Sequence, residues 1–185
     1  MLQLWPAGES VTVVEDGLVL REWTTDDVPD LVRLFDTPEM NRRTPLASPF
    51  DASAARLYVQ AAHDVRRRLG ALQLAITQDG RQPEGEVIIF PTETEGTVEL
   101  ADGVGERHAD RGLARRAVHT AMRLASAAGA SRARLHIAVD NQPSRHVARA
   151  TGFSELDRPL VERRRKGQVL HLALWERTLQ PAPAG

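Results

Sequence analysis

Apolar positions along this chain recur with two periods, and the switches between them mark out its elements. The run Leu18-Val19-Leu20-Arg21-Glu22-Trp23 sets β-forming residues ahead of a polar break and predicts a strand. Thr24, Thr25, Asp26 and Asp27 then offer N-caps for a helix whose Leu31, Leu34 and Phe35 share one face. Pro38 to Pro49 predicts a loop carrying Arg42 and Arg43. Asp51 and Ser53 open a second helix that runs through Leu57, Val59, Ala62 and Val65 to Gly70. Strands are expected over Leu72–Thr77 and Glu86–Phe90, separated by the turn-like Gln78-Asp79-Gly80, and a third over Thr97–Val104. From Gly112 to Ala128 the helical period returns, with Leu113, Ala117, Val118, Ala121, Leu124 and Ala125 on one face and Gly129 placed to end it. Arg134–Val139 reads as a buried strand, and Asn141–Ala150 as a short helix with Pro143 in its first turn and Gly152 just past its end. Val161–Arg165 and Val169–Glu176 close the series as two strands joined by Lys166-Gly167.

The resulting order is β-α-α-β-β-β-α-β-α-β-β. Three consecutive strands break the alternation of a doubly wound sheet or a barrel, so the pattern predicts a mixed α/β (α+β) domain. The 185 residues suffice for one such domain, and no repeat or long linker divides them. The expected division is an N-terminal extension over 1–17, the domain over 18–179, and a disordered tail rich in Pro and Ala over 180–185. A net charge of −1 gives no electrostatic footprint for nucleic acid or a membrane surface, so neither partner is expected. The absence of cysteine removes disulfides, thiolate metal ligands and a cysteine nucleophile together. The histidines are scattered without ligand spacing, so no metal is expected. No run approaches the ~18 apolar residues of a membrane span, and the start lacks a basic signal region; the expectation is a cytoplasmic protein.

Two segments carry candidate chemistry. The first, Arg107-His108-Ala109-Asp110-Arg111-Gly112-Leu113-Ala114-Arg115-Arg116, joins a strand to the long helix. A small-residue turn at a helix start leaves backbone N–H groups aimed at one place, where the helix dipole adds partial positive charge suited to a diphosphate. Gly112 and Ala114 permit close approach, and Arg111, Arg115 and Arg116 add charge. Taken alone, the segment also reads as an ordinary helix entry with solvated arginines. The second segment runs from Asp140 to Phe153, with Asn141 as N-cap, Val147 and Ala148 buried, and Gly152 past the helix end.

Together these segments resemble the signatures of the GCN5-related N-acetyltransferase (GNAT) superfamily, closest in style to its RimJ/RimL-like protein N-acetyltransferases. Gly112 and Ala114 fit the family's Q/R-x-x-G-x-G/A loop. Asn141, Ser144, Val147, Ala148, Gly152 and Phe153 fit N-x-x-S-x-x-V-A-x-x-x-G-F at every named position. The resemblance covers roughly residues 18–179. It implies a GNAT fold, a mixed, mostly antiparallel sheet splayed into a V and flanked by helices. It implies acetyl-CoA as co-substrate and an amine acceptor, either a protein N-terminus or a small molecule; a homodimer is compatible with it but not required. The cofactor-binding residues it implies are Gly103, Val104, Ala109, Asp110, Arg111, Gly112, Leu113, Ala114, Arg115, Asn141, Ser144 and Arg149. One departure stands out: Ala109 occupies the Q/R position, and Asp110 brings a negative charge where glycine is common.

By analogy with the family, the Thr97–Val104 strand splays from Arg134–Val139, and the pantetheine arm enters the gap as an added strand would. A backbone N–H at Gly103 or Val104 then stabilises the oxyanion as the amine attacks the thioester. Attack needs an uncharged amine and hence a base, for which Glu99 is the first choice, Asp102 the second and Glu86 the third. Strand alternation keeps Glu99 and Asp102 on opposite faces unless a bulge intervenes. The tyrosine acid of many relatives has no counterpart, since Tyr58 lies far upstream, which leaves Ser144 as proton donor. The acids Glu84, Glu86, Glu93, Glu95, Glu99 and Asp102 suggest an acidic wall for a cationic amine beside the basic helix start. The missing tyrosine and Ala109 leave a second reading open, a catalytically degenerate acyl-CoA-binding regulatory module.

Overall fold

A computed structural model describes Trp5 and residues 10–180. The chain opens on a hairpin: β1 (Thr12–Glu15) pairs antiparallel with β2 (Leu18–Glu22), and Glu15 faces Leu18 across the two-residue turn Asp16-Gly17. Both turn residues have positive φ, 50° and 67°, the conformation an Asp-Gly pair adopts in a type I′ turn. Part of the expected extension over 1–17 is therefore a sheet strand. Of the expected disordered tail, all but Gln180 lies outside the described residues.

A short 3-10 turn, Thr25–Asp27, leads into α1 (Val28–Phe35), with the Thr24 amide donating to the Asp27 carboxylate at 2.8 Å. A helix, α2 (Pro38–Arg43), occupies part of the expected loop. Thr37 caps it by accepting from the Met40 amide, and Pro38 sits in its first turn, where a missing N–H leaves no bond unmade. The next helix, α3 (Ala52–Leu69), starts at Asp51, whose carboxylate accepts from the Ser53 and Ala54 amides. It ends at Gly70, in the left-handed conformation. There follow β3 (Leu72–Thr77), β4 (Pro83–Pro91), β5 (Thr97–Val104), α4 (Leu113–Ala127), β6 (Arg132–Ala138) and α5 (Gln142–Ala150). The chain finishes with the two-residue β7 (Ser154–Glu155), then β8 (Val161–Arg165) and β9 (Gln168–Thr178).

The strands form one sheet in the order β1-β2-β3-β4-β5-β6-β9-β7, with β8 also pairing β9. Only β5 and β6 run parallel, so the sheet is mixed and mostly antiparallel, as the resemblance implies. Residues opposite one another in register share a face. One face carries Leu72, Leu74, Val87, Ile89, Val98 and Leu100 into a core with Leu113, Ala117, Val118 and Ala121 of α4. The other face carries Ala75 into a separate core with Trp23, Leu31, Phe35, Phe50, Ala55 and Val59, beneath α1 and α3. We refer to these as the α4 face and the α3 face. Val87–Phe90 of β4 is a continuous apolar run, whereas β3 sets Gln73 between the buried Leu72 and Leu74.

Candidate active site

The parallel pair β5–β6 holds together at only three positions, Thr97↔Arg132, Val98↔Ala133 and Glu99↔Arg134. Beyond them β5 continues to Val104 on β4, and β6 continues to Ala138 on β9. Each strand therefore presents an inner edge with no strand opposite, and the sheet opens as a V toward the C-terminal ends of both. Amides alternate in direction along a strand, so their aim can be deduced. Gly105 donates to the Glu84 carbonyl on β4 at 2.9 Å. Gly103, two residues earlier, consequently faces β4 as well, and Val104 turns its amide into the gap. Of the two expected oxyanion donors, the geometry leaves Val104.

At the open end of the V lies the start of α4. Gly112 caps the helix at φ 70°, with no side-chain hydrogen bond to the cap, and Arg116 is the first residue whose amide bonds within the helix, to the Gly112 carbonyl at 3.1 Å. The amides of Leu113, Ala114 and Arg115 are thus free of protein partners among the described residues. A Cβ built on Gly112 would meet nothing within 4 Å, so no other residue packs against the cap at that point. Asp110 is itself left-handed, at φ 60°, which explains why a glycine suits that position. Arg111 is not a free phosphate ligand: its guanidinium donates to Glu84 at 3.0 Å and pins the loop to β4. Arg116 is likewise committed, to the Asp16 carbonyl at 2.7 Å. Arg107 and Arg115 stay exposed and unpaired among the described residues.

Three carboxylates were candidates for the base, and the structure separates them. Glu86 is buried on the α3 face, where Trp23 Nε1 and the Tyr58 hydroxyl both donate to it at 2.7 Å. Burial raises its pKa to about 7 against the two hydrogen bonds that oppose the shift, but its oxygens are already engaged and covered. Asp102 shares the α4 face with Val87, and burial raises its pKa to about 6. It therefore points away from Glu99, as strand alternation requires. Glu99 lies on the α3 face where the V closes, with its Oε1 3.0 Å from His136 Nδ1 and 3.6 Å from Arg163 Nη2. The His136 contact is close but not aligned as a hydrogen bond. Burial would raise the Glu99 pKa; His136 and Arg163 outweigh it and hold the carboxylate below its ordinary range.

The expected acidic wall does not form. Glu84 binds Arg111, Glu86 is buried under α3, Asp102 faces the other side, and Glu93 and Glu95 project from the exposed β4–β5 turn. That turn, Thr92–Gly96, lies behind the closed end of the V, where Gly96 accepts from the Ser131 amide at 2.8 Å.

Helix α5 begins just past the end of β6. Asn141 caps it by accepting from the Ser144 amide at 3.3 Å, and the half-buried Ser144 hydroxyl has no protein partner among the described residues. Arg149 lies over the Trp175 ring at 5.4 Å from its centroid, so stacking already holds it. Asp140, ahead of the cap, pairs with Arg43 at 3.1 Å and ties α2 to this corner. The β8–β9 hairpin completes the surround. Its register sets Arg163 opposite Leu170, well beyond Glu176, the β9 partner of Arg134. Contact between Arg163 and Glu99 therefore requires the hairpin to curl back over the α3 face. The partnership of His136 with Glu99, and the approach of Arg163, escaped the sequence reading because only the parallel β5–β6 register and this curl bring them together.

The family profile for the acetyltransferase (GNAT) domain matches residues 17–154. Among solved structures, RimJ from Mycobacterium smegmatis in complex with CoA-disulfide superposes with a TM-score of 0.76 at 19% identity, covering 91% of this chain and 86% of that one. RimL, the ribosomal L7/L12 α-N-protein acetyltransferase in complex with coenzyme A, gives 0.77 at 20% identity, covering 92% and 98%. The microcin C7 self-immunity acetyltransferase MccE, in complex with acetyl-CoA and AMP, gives 0.77 at 16% identity, covering 89% and 93%. At these identities the likeness is one of fold. No curated protein matches the chain in sequence. The profile match spans most of the chain and contains the splayed strands, the free amides of α4 and the Asn141 helix: the chain belongs to the GNAT acetyltransferase family.

Proposed function

We propose that this protein transfers an acetyl group from acetyl-CoA directly to an amine, without a covalent enzyme intermediate. The observation that carries the reading is the unpaired gap between β5 and β6, opening onto the three partnerless amides of α4. An extended pantetheine arm supplies the backbone-like groups that such edges lack, and a diphosphate suits the positive end of a helix. Arg107 and Arg115 add charge there. Acetyl-CoA and CoA complexes of similarly folded acetyltransferases support the same cofactor.

In this reading the Val104 amide donates to the thioester oxygen as negative charge develops on it. The acceptor nitrogen enters from the α3 face and gives up its proton to His136. Glu99, held ionised, attracts the imidazolium that forms and so acts as a positioning residue. As the C–S bond breaks, Ser144 protonates the departing thiolate and is reprotonated through water by the proton that His136 took from the amine. Ala109 and the missing tyrosine do not interrupt this sequence, because the cofactor is held by backbone amides and the acid role falls to a hydroxyl.

The test is Ala114→Glu. A carboxylate in the first turn of a helix stabilises the helix but repels a diphosphate from the same amides. The variant is expected to keep its melting temperature while the Kd for acetyl-CoA, read by calorimetry, rises about tenfold or more. Glu99→Gln should retain acetyl-CoA binding and lose most of the amine-dependent thiol release, which distinguishes transfer from binding alone. Unchanged affinity in Ala114→Glu would remove the basis of the reading.

A further inference from the structure

We infer that the acceptor is an anionic amine, a nucleophilic nitrogen with a carboxylate or phosphate a short distance along its chain, received by Arg163 and Arg165 on the underside of the β8–β9 hairpin. The inference rests on the acetyl-transfer reading of the site and names the substrate class for it.

Arg163 and Arg165 are two residues apart on β8, opposite Leu170 and Gln168, and so project from one face of the hairpin. That face is turned toward the reaction site, since Arg163 reaches Glu99 there. Neither arginine has a carboxylate of its own. Arg163 shares Glu99 with His136 at 3.6 Å, too long for a hydrogen bond. Arg165 is half-buried, and among the described residues it meets no carboxylate at all. Its one hydrogen bond is a long one, 3.4 Å, to the Arg43 carbonyl of α2. Burial, with the neighbouring Arg163 adding to it, pushes its pKa down.

Most of the molecule's other half-buried arginines face a carboxylate, while Arg116 and Arg177 donate to the backbone carbonyls of Asp16 and Thr151. Arg21 faces Asp27 at 2.7 Å, Arg134 faces Glu176 at 2.8 Å, and Arg145 faces Glu155 at 2.9 Å. A guanidinium is always charged, and partial burial without a counter-ion costs free energy that a bound anion would recover. The α2 side of the opening offers no competing anion. Glu39 is taken up by Arg42 and Arg43, and Asp140 by Arg43. Lys166, at the hairpin tip, reaches over to Asn41 of α2 and adds one more positive charge. An amine approaching Glu99 and His136 from this side therefore passes two arginines lacking a full complement of negative charge. A peptide with acidic residues just after its N-terminus fits that passage; a polycationic amine is repelled by it.

The experiment compares peptides of equal length beginning Ser-Asp-Glu, Ser-Gln-Gln and Ser-Lys-Arg, each followed for CoA release and for binding to the CoA-loaded protein. A carboxylate-bearing small amine and its amide serve as a parallel pair, so that a free small acceptor is told apart from a peptide. The acidic peptide is expected to exceed the basic one by about tenfold in kcat/KM, with the advantage shrinking as salt rises. Arg165→Gln should erase most of that advantage without altering use of the neutral peptide, and Arg165→Lys should restore part of it. Equal use of all three peptides, a preference unchanged in Arg165→Gln, or binding by none of them while acetyl-CoA still binds would overturn the inference and leave the cofactor site standing. Failure of acetyl-CoA itself to bind would overturn both.

Discussion

Glu86 and Glu99 project from the same face of the sheet, yet their surroundings move their proton affinities in opposite directions. At Glu99 a histidine and an arginine outweigh burial, and the carboxylate stays charged. At Glu86 burial outweighs the hydrogen bonds from Tyr58 and Trp23, raising the pKa from 4.5 to about 7. The consequence for stability has a definite sign. A carboxyl whose folded pKa is raised contributes its full stabilisation below the unfolded value and loses it as pH climbs through the folded value. Stability should therefore decline between pH 4.5 and about 7 by an amount traceable to Glu86. The shift corresponds to an effect on the order of 3 kcal/mol. Glu86→Gln keeps an oxygen for Tyr58 and Trp23 but does not titrate. Urea unfolding at pH 5 and pH 8 should show a steep loss in the parent and a much flatter profile in the variant. Equal pH dependence in the two proteins would show that Glu86 does not ionise over that range.

At the scale of elements, what was legible in the sequence depended on whether a local pattern or a distant partner fixed the structure. Helix α4 was legible because its apolar face recurs at helical spacing and Gly112 marks its start. The edge strand β1 was missed, although Asp16-Gly17 between Val13-Val14 and Leu18-Val19 is a hairpin signal in its own right. Helix α2 was missed for a different reason: six residues give too few turns for a period to show, and its ion pairs with Asp140 come from tertiary contact. The two residues of β7 are a strand only because β9 lies beside them. The Asp16-Gly17 turn makes a direct prediction. Gly17 sits at φ 67°, and a Cβ there would meet Arg116 Nη1 at 3.3 Å. Gly17→Val should therefore cost about 1–2 kcal/mol, lowering the melting temperature by roughly 3–6 °C. Asp16→Asn, which suits the same turn, should be nearly neutral in the same melting experiment.

Across the whole molecule, the wedge between β5 and β6 divides the sheet, with β1–β5 on one side and β6, β7, β8 and β9 on the other. Each side has a strand edge that the fold does not satisfy. The family resemblance indicated where the wedge lies, because both motifs follow its two strands. The faces toward which Glu99, Asp102 and Glu86 point could not be assigned without the register, and the charge run from Glu84 to Asp102 was misread as a single surface for that reason. An unsatisfied edge also predicts how the molecule should respond to its cofactor. Backbone amides on the inner edges of Leu100–Val104 and Leu135–Ala138 have no strand across from them and should exchange hydrogen readily in the free protein. The first-turn amides of α4 should do the same. An arm that bridges the wedge and a diphosphate that engages the helix start must protect these amides together. Strand β3, paired on both sides by β2 and β4, is already protected and should change little. With acetyl-CoA at 100 times its Kd, exchange in the wedge peptides should slow by up to about a hundredfold, the limit set by ~2.7 kcal/mol of binding free energy. Protection spread evenly over every strand would instead indicate general stabilisation by a ligand bound elsewhere, and protection of α4 alone would place the diphosphate but leave the arm outside the wedge.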